Sequence, residues 1–235
     1  MDQPIFHEIR RFESLDSTNQ YALTLSETLL DGTVILADYQ TAGRGTVGRT
    51  WISNKAENLL FSLVLKQPKS FNDPLLSHKT ALSIQRALAS YNLSVSIKWP
   101  NDILVDTQKI AGILIERNTD CAVVGIGLNV NQVDFPTELR MPATSMINVT
   151  HKKTEPIAVL MRILDEMEEV FAWETDQVVY EYNQRLFQKG KTLTVNPQAG
   201  FTSLLVSGID ASGALCGHDE QNTSRSLHSA ASLDD

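Results

Sequence analysis

The chain has 235 residues, 42% of them hydrophobic, which suffices for one well-buried core and a small second domain. Its formal charge of -8 speaks against a nucleic-acid scaffold, since such domains carry a net basic footprint. No apolar run approaches the roughly eighteen residues of a membrane-spanning helix. Met1-Asp2-Gln3-Pro4 lacks the basic start of a signal peptide, and Cys121 and Cys216 stand far apart in no paired motif. A cytoplasmic protein without disulfides or a zinc site is expected. His7, His78, His151, His218 and His228 are scattered without ligand spacing.

Asp16-Ser17-Thr18-Asn19 offers hydroxyl caps ahead of Tyr21, Leu25 and Leu29, whose spacing of four predicts a helix. Strands are expected at Thr33 to Tyr39 and Leu59 to Leu65. Asp73-Pro74 opens a second predicted helix, with Ala81, Ile84, Leu88 and Tyr91 on one face. Val95 to Trp99, Ile103 to Val105, Ile110 to Glu116 and Ala122 to Leu128 are short β-rich runs broken by turns, and predict neighbouring antiparallel strands. Ile157, Leu160, Leu164, Met167 and Phe171 predict a long third helix. From Gly190 the chain changes to Lys191 to Val195, Phe201 to Ile209 and Ala214 to Cys216, a small all-β module; Asp219 to Asp235 is too weakly patterned to assign. The expected fold is α+β: a mixed, mainly antiparallel sheet with helices packed to one side in residues 1–189, and a β appendage in 190–235.

Two strings carry the chemistry. Gly43-Arg44-Gly45-Thr46-Val47-Gly48-Arg49-Thr50-Trp51 combines glycines with two arginines, so backbone N–H groups and fixed positive charge can both approach an anion. Lys98-Trp99-Pro100-Asn101-Asp102, followed by Lys109-Ile110-Ala111-Gly112, supplies two lysines and an Asn-Asp pair suited to developing negative charge and magnesium. Gly43 to Thr50 stands one residue from a Walker phosphate loop, but Arg49 replaces the lysine and the next element is strand-like rather than helical. Plainer readings stay open: Trp51 as a core aromatic, Asn101-Asp102 as a simple turn, Lys109 as an exposed strand start, Asn129 as a turn cap after Gly125-Ile126-Gly127-Leu128.

Taken together, Asp16 to Asn19, Gln40, Gly43 to Trp51, Lys98 to Asp102, Lys109 to Glu116 and Gly125 to Asn129 resemble the catalytic domain of biotin protein ligases, in order and spacing across roughly residues 14 to 131. The part from Gly190 is similar to that family's SH3-like C-terminal domain only in size and β content. The resemblance implies activation of biotin with ATP to biotinyl-5'-AMP, then transfer to a lysine of a biotin carboxyl carrier domain. It implies biotin contacts from Ser17, Thr18, Asn19, Gln40, Gly43, Arg44, Gly45, Thr46, Lys109 and Gly112, with Lys109 and Arg44 as the catalytic cations. Arg49, Trp51, Lys98, Asn101 and Asn129 would serve ATP, and Asn101 and Asp102 would help hold magnesium.

Two departures from the family pattern stand out. The Ser17 motif begins after only sixteen residues, whereas some bacterial members carry a DNA-binding domain ahead of the ligase, so repression of transcription and a nucleic-acid partner are not expected. The lack of a long apolar run likewise leads to no membrane partner being expected. A homodimer stays possible. Thr46 replaces a common arginine, and Val47 often another basic residue, so the loop has lost charge where the adenylate would be held. A lipoate or octanoate ligase and a non-catalytic biotin sensor are the competing functions.

Overall fold

β1 (Glu8–Phe12), β2 (Thr33–Ala37), β3 (Leu59–Leu65), β4 (Ser96–Lys98), β5 (Asp102–Val105), β6 (Gln108–Arg117) and β7 (Ala122–Leu128) form one sheet in the order β1-β2-β3-β7-β6-β5-β4. These observations come from a computed structural model that describes residues 6–233, without the side chains of Val47, Pro68 and Pro197. The Met1-to-Pro4 start, the two final aspartates and the side chain expected to matter at Val47 lie outside the described residues. β1 and β2 run parallel, and the other neighbours are antiparallel. The mixed, mainly antiparallel sheet is therefore as expected.

The helices are α1 (Thr18–Thr24), α2 (Pro68–Phe71), α3 (Leu76–Ala89), α4 (Met146–Thr150), α5 (Pro156–Val170) and α6 (Thr175–Arg185). They do not all pack to one side, and the alternation within the central strands shows why. Val34, Leu36, Phe61, Leu63, Val124 and Ile126 enter the main core with Ala81, Ile84, Leu88, Leu160 and Leu164 of α3 and α5. Ile35, Val64 and Val123 point the other way, against Ala22 of α1 and Leu29. Strands buried on both faces read as continuous apolar runs, so the sequence pattern could not reveal that a helix covers the second face.

Ser17 caps α1 by accepting from the Gln20 N–H at 3.4 Å. The helix stops at Thr24, and Leu29 is buried from the turn beyond it. Asp73 supports the start of α3 by accepting from Leu75 N–H and pairing with Lys79, both at 2.8 Å. β1, α2, α4 and α6 are additions to the expected elements. α6 is polar, with Val178 and Tyr182 its buried residues, so its apolar period is faint.

β8 (Thr192–Thr194), β9 (Ser203–Ile209), β10 (Leu215–His218) and β11 (Ser224–Leu227) form a second, antiparallel sheet in the order β11-β10-β9-β8. The weakly patterned stretch from Asp219 thus holds β11 and, within its described residues, a short helical turn at Ala230–Ser232. Asp219 closes its turn, accepting from Thr223 N–H at 2.8 Å and pairing with Arg225 at 2.8 Å. Leu204, Val206, Leu215 and Leu227 of this sheet belong to the same buried cluster as the large sheet. Among the described residues no helix is long and apolar enough to cross a membrane, and both cysteines are free.

His78, buried on α3, stacks edge-on against Tyr182 at 4.7 Å between ring centroids. Burial pushes its imidazole from the ordinary 6.5 down to about 4. In the unfolded chain the ring takes up a proton near its ordinary value, so below that pH the unfolded state binds more protons than the fold. The contribution of the neutral ring is present above pH 6.5 and is lost as pH falls toward 4. Urea unfolding across this range should show that loss, and His78→Phe should flatten it; an equal slope in the variant would remove His78 as the cause.

Candidate active site

Three glycines leave the α1 face of the large sheet bare. Gly112 on β6 pairs with Gly127 on β7, and Gly125 lies between Ser62 of β3 and Leu114 of β6. A methyl on Gly127 would sit 2.5 Å from Trp51 Cε2, and one on Gly112 would sit 2.9 Å from Lys109 Nζ and 3.1 Å from Trp51 Cζ3. On Gly125 it would overlap the Asn19 carboxamide. The missing side chains are what let Trp51, Lys109 and Asn19 lie against the strands.

One wall of this hollow is a polar network. Gln40 Oε1 accepts from the Thr18 N–H at 2.8 Å and from Thr18 Oγ1 at 3.1 Å. The buried Ser62 hydroxyl reaches Thr18 Oγ1 at 2.7 Å and Asn19 Oδ1 at 2.6 Å. Asn19 Nδ2 donates to Leu114 O at 3.1 Å and to Glu116 Oε2 at 2.9 Å. The other Glu116 oxygen pairs with Arg44 at 2.8 Å, and Arg44 also donates to Gln20 Oε1 at 2.9 Å. One carboxylate thus ties the glycine-arginine loop to α1.

The loop itself folds as a closed hairpin. Arg44 bridges Thr50, Gly45 N–H donates to Arg49 O at 2.6 Å, and Trp51 N–H donates to Gly43 O at 2.9 Å. A side chain at buried Gly43 would come within 2.6 Å of Trp51 O, so the turn requires glycine there. The next regular element is β3, a strand, which disposes of the Walker alternative. Arg49 bends back onto Thr46, donating to its carbonyl at 3.0 Å and its hydroxyl at 2.8 Å.

Lys109 lies where two cavities meet. Its Nζ pairs with Asp102 Oδ1 at 2.5 Å and sits 5.4 Å from the centre of the Trp51 ring. Its backbone is held by the segment that follows β7, with Lys109 N–H donating to Pro142 O and Thr144 N–H to Lys109 O. A cavity of about 120 Å³ is bordered by Ser17, Thr18, Gln40, Arg44, Lys109 and the glycine floor. A second, of about 770 Å³, is bordered by Lys98, Asp102, Asn129 and the 135–143 segment, with Ala230 and Leu233 from the chain's end. Arg49, Thr50, Trp51, Asn101 and Lys109 border both.

The predicted residues therefore converge. Asn101 holds the turn between β4 and β5, its Nδ2 donating to Ile113 O at 2.8 Å. Asp102 begins β5 opposite Lys98. Asn129 is buried, donates to Thr144 O at 2.9 Å, and its Oδ1 has no protein partner; the Trp51 Nε1 is likewise buried and unpartnered. Burial first, and the Asp102 charge second, push the Tyr182 phenol above its usual range. Ser62, the two β7 glycines and Glu116 were given no role by sequence reasoning. A polar residue inside the apolar run Leu59 to Leu65 was the available signal for Ser62, because a buried hydroxyl needs a partner.

The sequence signature of the biotin/lipoate A/B protein ligase family matches residues 11–131. The chain belongs to this family. Among ligase-family relatives, the bifunctional ligase/repressor BirA of Bacillus spizizenii is 36% identical over 143 residues, 57% of this chain and 44% of that protein. The chain spans about half the length of the Bacillus BirA proteins that it matches. A biotin--[acetyl-CoA-carboxylase] ligase of Paracoccus denitrificans is 30% identical over 217 residues, covering 85% of this chain and 90% of that one. The solved biotin protein ligase of Aquifex aeolicus, in complex with biotin and ATP, superposes with a TM-score of 0.86 at 28% identity, covering 97% and 98% of the two chains. Both glycine runs, Lys98 to Asp102 and Lys109 fall inside the span matched to the ligase family, and the second sheet falls outside it.

Proposed function

We propose that this protein activates biotin with ATP and transfers it to a lysine of a biotin carboxyl carrier domain. The observation that carries the reading is the shared wall: a narrow polar hollow and a nucleotide-sized cavity meet at Lys109 and Trp51. Similarity to the Aquifex ligase, whose structure holds biotin and ATP, supports the same ligand pair.

In this reading the biotin ring system meets Ser17, Thr18, Asn19 and Gln40, whose network offers both donors and acceptors to a polar ring. Its carboxylate points along Gly112 toward Arg44, Gly45, Thr46 and Lys109. A carboxylate oxygen attacks the α-phosphorus of ATP, the bond from that phosphorus to the bridging oxygen breaks, and pyrophosphate leaves. Lys109 neutralises charge that grows on both partners. The carrier amine then attacks the acyl carbon, and AMP leaves. No enzyme nucleophile takes part, so fixed charge and exclusion of water carry the rate. Arg49, Trp51, Lys98, Asn101 and Asn129 serve the nucleotide, with the orphaned Asn129 Oδ1 and Trp51 Nε1 open to a ligand.

Magnesium fits the donor set only in a limited way. No three His, Cys, Asp or Glu side chains converge among the described residues. Asp102 and the Asn101 amide oxygen suit an ion that keeps its waters and leans on phosphate. When bound, it would offset phosphate charge. In this proposal residues 1–189 carry the chemistry, and 190–235 form the companion β domain.

Incubating the protein with biotin, ATP, magnesium and a carrier domain, then weighing the carrier by mass spectrometry, tests the function. A biotin-sized gain on one lysine is expected; a gain with lipoate instead, or none with either, defeats it. The loop adds a further expectation. Because Thr46 supplies no cation and Arg49 leans on it, the adenylate should escape more readily than from a loop with arginine there. Thr46→Arg should slow its release, and equal rates would defeat that account.

A further inference from the structure

Gln188 lies outside every motif discussed above, yet it is 2% exposed and hydrogen-bonded at both ends of its carboxamide. The segment after α6 runs beside β4: Leu186 bridges Ile97 in parallel, and Phe187 N–H donates to Ile97 O at 2.8 Å. At the next step the pairing passes to a side chain. Gln188 Oε1 accepts from the Trp99 N–H at 3.0 Å, and its Nε2 donates to Trp99 O at 2.9 Å. The carboxamide thus takes the place of a peptide group, one residue before Pro100, which has no N–H to extend a ladder.

We infer that Gln188 is a positioning residue for the nucleotide side of the site, fixing the backbone from which Lys98, Asn101 and Asp102 project. Two further bonds complete the grip: Trp99 Nε1 donates to Gly213 O at 3.0 Å, and Ser77 Oγ donates to Pro100 O at 3.2 Å. Gln188 borders neither cavity, so its effect passes through Trp99. The biotin wall at Thr18, Gln40 and Ser62 is built from other elements and does not depend on it.

The inference rests on the proposed ligase reading, and its test separates the two. Gln188→Met keeps the bulk and removes both hydrogen bonds; Gln188→Asn keeps a carboxamide too short to reach both groups. Each is assayed at a temperature where calorimetry shows it folded. The KM for ATP in biotin-dependent pyrophosphate release should rise by roughly tenfold or more, as when contacts that bind the nucleotide are weakened. Biotin affinity should fall by less than ATP affinity, because Asn101 and Lys109, the latter through Asp102, connect the biotin hollow to this backbone while Thr18, Gln40 and Ser62 do not. An unchanged ATP KM, or a proportionate loss of biotin and ATP binding as expected of mere glue between the sheets, overturns the inference. A wild-type chain that releases no pyrophosphate with biotin defeats the functional reading instead.

Discussion

Replacing Lys109 by alanine should lower adenylate formation by at least about a hundredfold, equivalent to about 3 kcal/mol or more of transition-state stabilisation. The magnitude follows from where the ammonium sits. It is 2.5 Å from the Asp102 carboxylate, it faces the Trp51 ring, and it borders both cavities. A cation already held in place spends little reorganisation when charge develops on the carboxylate and the phosphorus. The side chain is 26% exposed and paired with Asp102, so its removal should also lower the melting temperature by leaving that carboxylate uncompensated. Pyrophosphate release with biotin and ATP, measured beside thermal unfolding, checks both parts. Full activity in a folded Lys109→Ala protein would take the residue out of the mechanism.

Gly125→Ala should weaken biotin binding by about tenfold or more while costing about 1–3 kcal/mol of stability, the usual scale of overpacking. The added methyl collides with Asn19, which cannot retreat without loosening its bonds to Ser62, Leu114 O and Glu116. Glu116 in turn holds Arg44, so the disturbance reaches the loop. Calorimetric titration with biotin and urea unfolding separate the two effects. Wild-type biotin affinity in the folded variant would show that the close approach of α1 to β7 plays no part in recognition.

Much of the large sheet was legible because its strands are apolar runs bounded by turns. Leu59 to Leu65 and Ala122 to Leu128 are strands over the predicted residues. The elements that escaped are those whose burial is slight or whose pattern is polar. β1, with the sequence EIRRF, sits at the sheet edge with no fully buried residue. β11, SRSL, buries Leu227 alone. α6 carries two buried residues in eleven, too few to mark a period.

At the site, the glycine-arginine loop, Lys98 to Asp102 and Lys109 could be read from local composition. Ser62 and Gln188 could not be assigned a role in that way. Their partners lie 43 or more residues away in the chain, and only folding brings them together. The two-sided burial of β2 and β3 has the same origin, since an apolar run does not say how many layers cover it.

The partition made by Trp51 and Lys109 belongs to both chambers. In the proposed reading, a molecule joined across it would be moored at two ends, under a hairpin from Gly43 to Trp51 that is tied down through Arg44 to Glu116. On that reading, escape of a reactive intermediate would become a question of how often that tie lifts, and the safety of the chemistry would rest on the stiffness of one short stretch of chain.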